Sequence, residues 1–266
     1  MELEGKVAIV TGGAGGIGKA LAWKFIEEGA RGVVVADLES ANPQAVADEL
    51  GDRASAFAGD ISQQATTAAL IAHAEEAFGP VDLYCANAGV AIGVMLEDDE
   101  AVWDTAFGVN IRSHIHAAKI LVPQWLERGG GYFLTTASAA GIVTQIGSAP
   151  YAVTKHAAVA FAEWLSVSYG DQGIRASALC PMGVNTNMLN AGAGDSGVSA
   201  GDVVRAAGMV VEPEEVADLV VEAIGDERFL ILPHPEVLTF FQRKGSDYDR
   251  WITGMRRLQA AVTGAA

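Results

Sequence analysis

The sequence predicts an α/β fold in which a doubly wound sheet of about seven parallel strands carries helices on both faces. Short apolar runs rich in β-branched residues alternate with longer helical segments along the chain. The short runs are almost continuously apolar, which is typical of parallel strands buried on both faces. With 266 residues, 50% of them hydrophobic, the chain is long enough to form one large core. We therefore expect a single domain over residues 1–266.

Each predicted strand ends in small or polar residues, as strand-to-helix turns require. The predicted strands are 6–11, 32–37, 54–60, 81–87, 131–138, 174–181 and 228–233. The predicted helices are 17–29, 43–51, 63–78, 99–127, 150–170 and 213–225. Ser148 is a candidate N-cap for the helix at 150–170, and Pro150 is tolerated in its first turn. Ligands bind beyond the carboxyl ends of such strands, so functional residues are expected there.

Composition limits the environment and the partners. The acidic start, MELEGKVAIV, lacks the basic region and apolar run of a secretory signal. No apolar stretch reaches the ~20 residues that span a bilayer. We expect a cytoplasmic protein with no membrane partner and with Cys85 and Cys180 as buried thiols. The net charge of −16 disfavours nucleic acid and weakly favours a neutral substrate, although solubility alone explains it as well.

A glycine-rich segment, TGGAGGIG at 11–18, directly follows the first predicted strand and opens a helix. Glycines there permit a tight turn and let backbone N–H groups approach a diphosphate at the helix N-terminus. This context predicts a Rossmann-like dinucleotide site rather than an ordinary strand–helix turn. The residues assigned to it are Gly12, Gly15, Gly16, Ile17 and Gly18.

Two further strand ends bear on the choice of cofactor. Asp37 ends the second strand, where its carboxylate can accept hydrogen bonds from both adenosine ribose hydroxyls and repel a 2′-phosphate. Because no Arg or Lys follows within several residues, the sequence favours NAD over NADP. Asp60 and Ile61 follow the third strand and are candidates for the adenine side of the pocket.

The glycine segment, ANAG at 86–89, VN at 109–110, Ser138 and the pair Tyr151 and Lys155 together resemble the short-chain dehydrogenase/reductase family. The resemblance covers about residues 5–190 and implies NAD(P)-dependent hydride transfer between an alcohol and a carbonyl. It implies that Tyr151 transfers the proton with Lys155 as its partner, that Ser138 holds the substrate oxygen, and that Asn110 supports a relay water. It also implies cofactor contacts from Asn87, Gly89, Tyr151, Lys155, Pro181, Val184 and Thr186, the last to the nicotinamide carboxamide.

The chemistry of the pair fits this role. Tyr151 and Lys155 stand at i and i+4, on one side of a helix. An ordinary tyrosine titrates near pH ~10, and a nearby ammonium together with a positive nicotinamide ring would favour its phenolate. The alternative is a polar stripe on an amphipathic helix, but this helix is apolar on almost every side. His114, His116 and His156 are expected to have packing or surface roles, and no metal is predicted.

The sequence departs from the family pattern at three places. Met182 stands where the family usually has glycine, and either fills part of the pocket or reflects a backbone shift that Gly183 compensates. Residues 187–210 resemble the variable substrate loop. Residues 234–266 are expected to form a C-terminal extension that packs in the core or at a subunit interface, or acts as a lid. The apolar positions of this extension are Phe240, Phe241, Trp251 and Met255.

The favoured function is an NAD-dependent oxidoreductase for a secondary alcohol, or for a ketone in reverse, with a neutral and fairly apolar substrate. We expect a homodimer or homotetramer formed through the helix at 150–170. A 3-ketoacyl-carrier reductase is the second enzyme alternative, disfavoured by Asp37 and the acidic charge. A non-catalytic dinucleotide-sensing regulator is the third, disfavoured because all four catalytic positions are filled.

Overall fold

A parallel seven-stranded sheet organises the protein. The computed structural model describes residues 1–93, 96, 98–190 and 208–263, with side chains considered up to residue 261. The strands of this part of the chain are β1 Val7–Thr11, β2 Gly32–Asp37, β3 Ala54–Ala58, β4 Leu83–Ala86, β5 Gly131–Thr136, β6 Ile174–Leu179, β7 Gly183–Val184, β8 Val210–Val211 and β9 Leu230–Ile231. The order of the strands in the sheet is β3-β2-β1-β4-β5-β6-β9, and every neighbouring pair is parallel. The strand order reverses between β1 and β4, where such sheets open a crevice for ligands.

Helices cover both faces of the sheet. They are α1 Gly16–Glu27, α2 Pro43–Leu50, α3 Gln64–Phe78, α4 Glu100–Phe107, α5 Ser113–Arg128, α6 Ala140–Val143, α7 Ala149–Tyr169, α8 Asn187–Asn190, α9 Pro213–Gly225, α10 Glu236–Ser246 and α11 Tyr248–Thr263. Alternate residues of β1 enter different cores. Val10 packs with α1 and α9, whereas Ile9 packs with α3 and α5. This two-sided burial explains the continuously apolar strands and confirms the predicted fold class.

The predicted helix at 99–127 is interrupted in the structure. It consists of α4, one π-helical segment at Gly108–Arg112, and α5. A π turn inserts one residue and shifts the phase of the apolar pattern, but the segments on both sides remain helical, so the sequence predicts one helix. Such turns are frequent at functional sites, and this one contains Asn110.

Several strands end earlier than predicted. β5 ends at Thr136 and β3 at Ala58, so Ser138 and Asp60 lie in the turns beyond the strands rather than at their last residues. Backbone hydrogen bonds explain the end of β5. The amide of Ala137 still bonds to Leu179 of β6, but that of Ala139 bonds to Pro181, outside the strands.

The ends of the predicted substrate loop are paired with each other. β7 and β8 form a short parallel ladder, and Asn185 N–H donates to the carbonyl of Val211 at 2.9 Å. The first part of the loop forms α8, while residues 191–207 of the predicted loop lie outside the described residues.

The C-terminal extension begins in the core. Val237 of α10 is fully buried and packs in the cluster that contains Ala137 and Ile142. Lys244 is buried too, and its ammonium donates to the carbonyl of Ile142 at 2.7 Å. Farther along, Phe240 and the apolar residues of α11 remain partly or fully exposed. No helix within the described part of the chain is long and apolar enough to cross a bilayer.

Candidate active site

A cavity of about 930 Å³ opens at the carboxyl ends of β1, β4 and β5, within the range of known ligand sites. It brings together most of the residues predicted from the sequence. These are Gly12, Gly15, Gly16, Ile17, Asp37, Asp60, Ile61, Asn87, Gly89, Ser138, Tyr151, Lys155, Pro181, Val184 and Thr186. Gly18 and Asn110 were also predicted but do not line the cavity.

Gly18 lies beneath the glycine-rich turn instead of facing the cavity. A Cβ at this position would lie 2.0 Å from the carbonyl oxygen of Gly12, so only glycine allows the helix to pack against the turn. Gly15, by contrast, has open space where its Cβ would be. The turn is therefore closed on its inner side and open on the side where α1 begins, which suits a diphosphate at the helix N-terminus.

Thr11 and Asn87 hold this turn in place. The Thr11 hydroxyl accepts hydrogen bonds from the amides of Asn87 and Ala88, each at 3.0 Å, and donates to the Cys85 carbonyl. The Asn87 side-chain amide donates to the Thr11 carbonyl at 2.9 Å and to that of Gly12 at 3.3 Å. The ends of β1 and β4 are thus linked by side chain to backbone, and Asn87 supports the cofactor turn from below.

Asp37 lies at the rim of the glycine turn. Its two carboxylate oxygens accept the amides of Ala14 at 3.0 Å and of Leu38 at 2.8 Å. These bonds fix the carboxylate while leaving each oxygen further capacity to accept. Asp60 is exposed and accepts the amide of Ser62 at 3.0 Å, and the adjacent Ile61 is buried against the cavity.

Tyr151 and Lys155 project from the first turns of α7. The buried Lys155 ammonium donates to the Thr136 carbonyl at 2.9 Å and lies 5.6 Å from the centre of the Tyr151 ring. A Cβ on Gly89 would approach this ammonium to 3.1 Å, so glycine makes the necessary room. A phenol and an ammonium are therefore held together at the end of β5.

Desolvation dominates the titration of both groups. Burial lowers the pKa of Lys155 from 10.5 to about 8. Burial also raises the pKa of Tyr151, although a hydrogen bond with Ser138 partly opposes this change. Loss of hydration is therefore the largest influence on the pKa of Tyr151 in the protein alone. That Lys155 and a nicotinamide ring together favour the phenolate stays a prediction.

The Ser138 hydroxyl lies in the turn between β5 and α6. It accepts the amide of Ala140 at 3.1 Å and is 3.4 Å from the carbonyl of Pro181. Ser148 occupies the N-cap position of α7 as predicted, but its side chain does not cap the helix. Its hydroxyl donates to the carbonyl of Gly93 at 2.9 Å and so ties the helix start to the loop after β4.

Asn110 lies behind Lys155, and both N–H groups of its side-chain amide donate hydrogen bonds. Its Oδ1 accepts the Val90 amide at 2.8 Å. Its Nδ2 donates to the Val90 carbonyl and to the Thr154 hydroxyl, both at 3.0 Å. The amide therefore joins the loop after β4 to α7.

The segment after β6 forms the opposite wall. Pro181, Met182, Val184 and Thr186 line the cavity, followed by Met188 of α8. Met182 also lies close to the far end of the substrate loop, since a Cβ on Gly208 would be 2.3 Å from its Cε. Met182 therefore faces both the pocket and the returning loop, in agreement with the pocket-filling alternative.

Comparison with known proteins assigns the family. The model for short chain dehydrogenase matches residues 6–195. The chain belongs to the short-chain dehydrogenase/reductase family. A 1-deoxy-11-beta-hydroxypentalenate dehydrogenase from Streptomyces exfoliatus is 34% identical over 89% of this chain and 86% of the relative. A 3beta-hydroxysteroid dehydrogenase 2 from Eggerthella lenta is 33% identical over 70% and 74%.

A solved structure supports the same assignment. A short chain dehydrogenase/reductase from Burkholderia phymatum, in complex with NAD, superposes with a TM-score of 0.83 at 31% identity. The match covers 94% of this chain and 96% of that one. This short-chain dehydrogenase is therefore an oxidoreductase with the NAD(P)-type Rossmann fold of its family.

Some positioning residues of this dehydrogenase were not predicted from the sequence. In the sequence, Thr154 is one small residue among others between Tyr151 and Lys155. In the structure its hydroxyl accepts a hydrogen bond from the Asn110 side-chain amide and donates to the Pro150 carbonyl at 2.8 Å. His234 was not predicted either, although a histidine between two prolines shortly after a predicted strand is an unusual pattern.

The three histidines expected to have packing or surface roles, His114, His116 and His156, do not line the cavity. Burial lowers the pKa of His114 to about 3, so it is neutral beside Phe133. The ring nitrogens of His156 contact the Ala152 carbonyl at 2.9 Å and the Lys244 ammonium at 3.3 Å. Within the described ranges, no three His, Cys, Asp or Glu residues cluster as a metal site would require.

The buried ammonium gives a testable stability effect. Its depressed pKa costs the folded state ~3 kcal/mol at neutral pH, of which the bond to Thr136 offsets about 1. We predict that Lys155→Met raises the free energy of unfolding of the cofactor-free protein by about 1–2 kcal/mol near pH ~7. Between the folded pKa of about 8 and the ordinary 10.5, the unfolded chain binds more protons. The free energy of unfolding of the wild type therefore rises with pH in this range, and the difference in stability between Lys155→Met and wild type becomes smaller.

Urea unfolding at neutral and alkaline pH measures this difference. Lys119→Met, on the exposed surface of α5, is the matched control and should show no pH-dependent gap. A Lys155→Met protein that is less stable than wild type at neutral pH, or a gap independent of pH, contradicts the account.

Proposed function

We propose that this dehydrogenase transfers hydride between a secondary alcohol and NAD⁺, or between NADH and a ketone, with a neutral and fairly apolar substrate. The observation that carries the proposal is the convergence of three groups beside the glycine turn. A phenol, a hydroxyl and a buried ammonium, from Tyr151, Ser138 and Lys155, meet where the cavity reaches the end of β5.

The chain's own residues manage the substrate oxygen and its proton. When bound, NAD⁺ supplies the acceptor for the hydride that leaves the alcohol carbon. The Ser138 hydroxyl binds the substrate oxygen, and Tyr151 accepts the proton of the alcohol. Lys155 stabilises the phenolate, with its own position fixed by the Thr136 carbonyl. In ketone reduction, Tyr151 donates the same proton back.

The choice of NAD over NADP is proposed from Asp37. The two backbone amides that hold its carboxylate keep a negative charge at the rim, where a 2′-phosphate would be repelled. Leu38 next to it is 51% exposed and offers no positive charge.

The substrate class is proposed from the mouth of the cavity. Its outer part is lined mainly by apolar side chains, those of Val90, Ala91, Met182, Met188 and Leu189. Relatives named for a hydroxysteroid and a hydroxypentalenate substrate are consistent with an apolar alcohol. The net charge of −16 agrees with a neutral substrate and disfavours an acidic carrier protein.

Assembly and compartment remain part of the proposal. The outer side of α7 exposes Val153, Trp164 and Val167, an apolar surface that suits a homodimer or homotetramer. The two buried, unpaired cysteines suit the cytoplasm, and the net charge of −16 disfavours a nucleic-acid or anionic membrane partner.

The catalytic role of Tyr151 is tested by Tyr151→Phe. We expect normal NADH binding by fluorescence but at least ~100-fold slower NADH formation with a panel of secondary alcohols, because the proton acceptor is lost. Tyr169→Phe, at the far end of the same helix, is the control. Near-normal turnover in Tyr151→Phe removes the residue from this role.

A wild-type protein that binds NADH but oxidises no alcohol favours a dinucleotide-sensing regulator, and selective turnover of a 3-hydroxyacyl thioester favours the ketoacyl-carrier alternative.

Cofactor choice is tested by combining Asp37→Ser with Leu38→Arg. The double variant removes the repelling carboxylate and adds a guanidinium that can pair with a 2′-phosphate. We expect the ratio of kcat/KM for NADP⁺ to that for NAD⁺ to rise by roughly 100-fold or more. Leu38→Gln alone provides the uncharged control. Unchanged selectivity in the double variant contradicts the placement of Asp37 at the adenosine ribose.

A further inference from the structure

His234 links the two ends of the substrate loop from outside the cavity. It follows β9 in the sequence Pro-His-Pro and is buried. Its Nδ1 lies 3.1 Å from the amide nitrogen of Met182. Its Nε2 lies 3.1 Å from each of two carbonyl oxygens, those of Gly183 and Met209.

These contacts determine the tautomer of the ring. A backbone N–H can only donate, so Nδ1 must accept from Met182 and carries no proton. The proton of the neutral ring is therefore on Nε2, where it is shared between the carbonyls of Gly183 and Met209. One imidazole thus satisfies three backbone groups with no other side chain involved.

The backbone groups that His234 holds belong to two different arms. Residues 181–186 form the outgoing arm, which lines the cavity through Pro181, Val184 and Thr186. Met209 belongs to the returning arm, just before β8 pairs with β7. His234 itself does not line the cavity, so any effect on the reaction must pass through these arms.

We propose that His234 is a positioning residue that sets the cofactor-facing arm through Met182 and closes the substrate loop through Met209. The proposal rests on the proposed function, since it takes the outgoing arm as the wall beside the nicotinamide. His234 also accounts for the presence of Met182 at a position where the family usually has glycine. With a side chain in place of glycine, the backbone there keeps one defined orientation because its N–H has a buried acceptor.

The two ring nitrogens can be separated by substitution. An Asn side chain places its oxygen near the position of Nδ1, so His234→Asn keeps an acceptor for Met182 and loses the donor to the loop ends. A Gln side chain places its amide nitrogen near Nε2, so His234→Gln keeps the donor and loses the acceptor. His234→Leu removes both functions at similar volume.

We expect the two polar variants to divide the kinetic effects. His234→Gln should raise the KM for NAD⁺ and the Kd for NADH by roughly tenfold while leaving the alcohol KM within about twofold. His234→Asn should raise the alcohol KM by roughly tenfold and leave NADH affinity near that of wild type. His234→Leu should show both losses. The Met182 amide should exchange with solvent faster in His234→Gln and His234→Leu but not in His234→Asn.

Ser177→Ala is the matched control. It removes a partly buried 2.6 Å hydrogen bond to the carbonyl of Arg228, which precedes β9, and a buried 2.6 Å hydrogen bond with the Tyr132 hydroxyl, but Ser177 does not line the cavity. We expect a lower melting temperature with unchanged KM values. The proposal is overturned if Ser177→Ala shifts the KM values as the His234 variants do, if the Asn and Gln variants lose the same properties, or if all three His234 variants match wild type.

Failure of the proposed function gives a different result. NADH fluorescence and amide exchange at Met182 need no turnover, so they report on the cofactor-facing arm even if no alcohol is oxidised. Inactive wild type with the Gln-specific loss of NADH affinity refutes the function but supports this role of His234. Active wild type without that loss refutes the role and leaves the function intact.

Discussion

The site is built around one unfavourable element, the ammonium of Lys155 in a desolvated position. Its depressed pKa shows that the fold, without cofactor, gains little from holding this charge. The surrounding residues accommodate it specifically. The Thr136 carbonyl accepts a hydrogen bond from the ammonium, and the missing side chain of Gly89 leaves room for it. A stability optimum alone would favour an apolar residue here, so the cost indicates a chemical use for the charge.

Hydrogen bonds between side chains and loop backbone then fix the parts of the site relative to this charge. Thr11 and Asn87 tie the glycine turn to the end of β4. Asn110 ties the loop after β4 to α7 through Val90 and Thr154. Thr11 and Asn110 use their polar groups on backbone or on a neighbouring side chain, and Asn87 does so with its Nδ2 while it also lines the cavity. Rigid loops at strand ends result, which is what a site for hydride and proton transfer needs.

Patterns local in the sequence predicted much of this arrangement. The apolar runs revealed the strands, and the glycine turn with Asp37 lies as expected at the carboxyl ends of β1 and β2. What escaped prediction depends on contacts between distant segments. The π turn at Asn110 joins two helical segments without a break, Thr154 contacts the distant Asn110 side chain, and His234 contacts backbone groups that approach it only in the fold. The raised pKa of Tyr151 also depends on burial, whereas the spacing of Tyr151 and Lys155 suggested only mutual attraction.

We propose that desolvation keeps Tyr151 protonated in the protein alone, and that the positive ring of bound NAD⁺, added to the ammonium of Lys155, brings its pKa into the working range. The most direct measurement is the ultraviolet absorbance of phenolate against pH, as the difference between wild type and Tyr151→Phe, without cofactor, with NADH and with NAD⁺. The account predicts that Tyr151 titrates above its ordinary pKa of ~10 without cofactor and clearly below it only with NAD⁺. Titration below ~10 in the cofactor-free protein, or identical curves with and without NAD⁺, would contradict the claim.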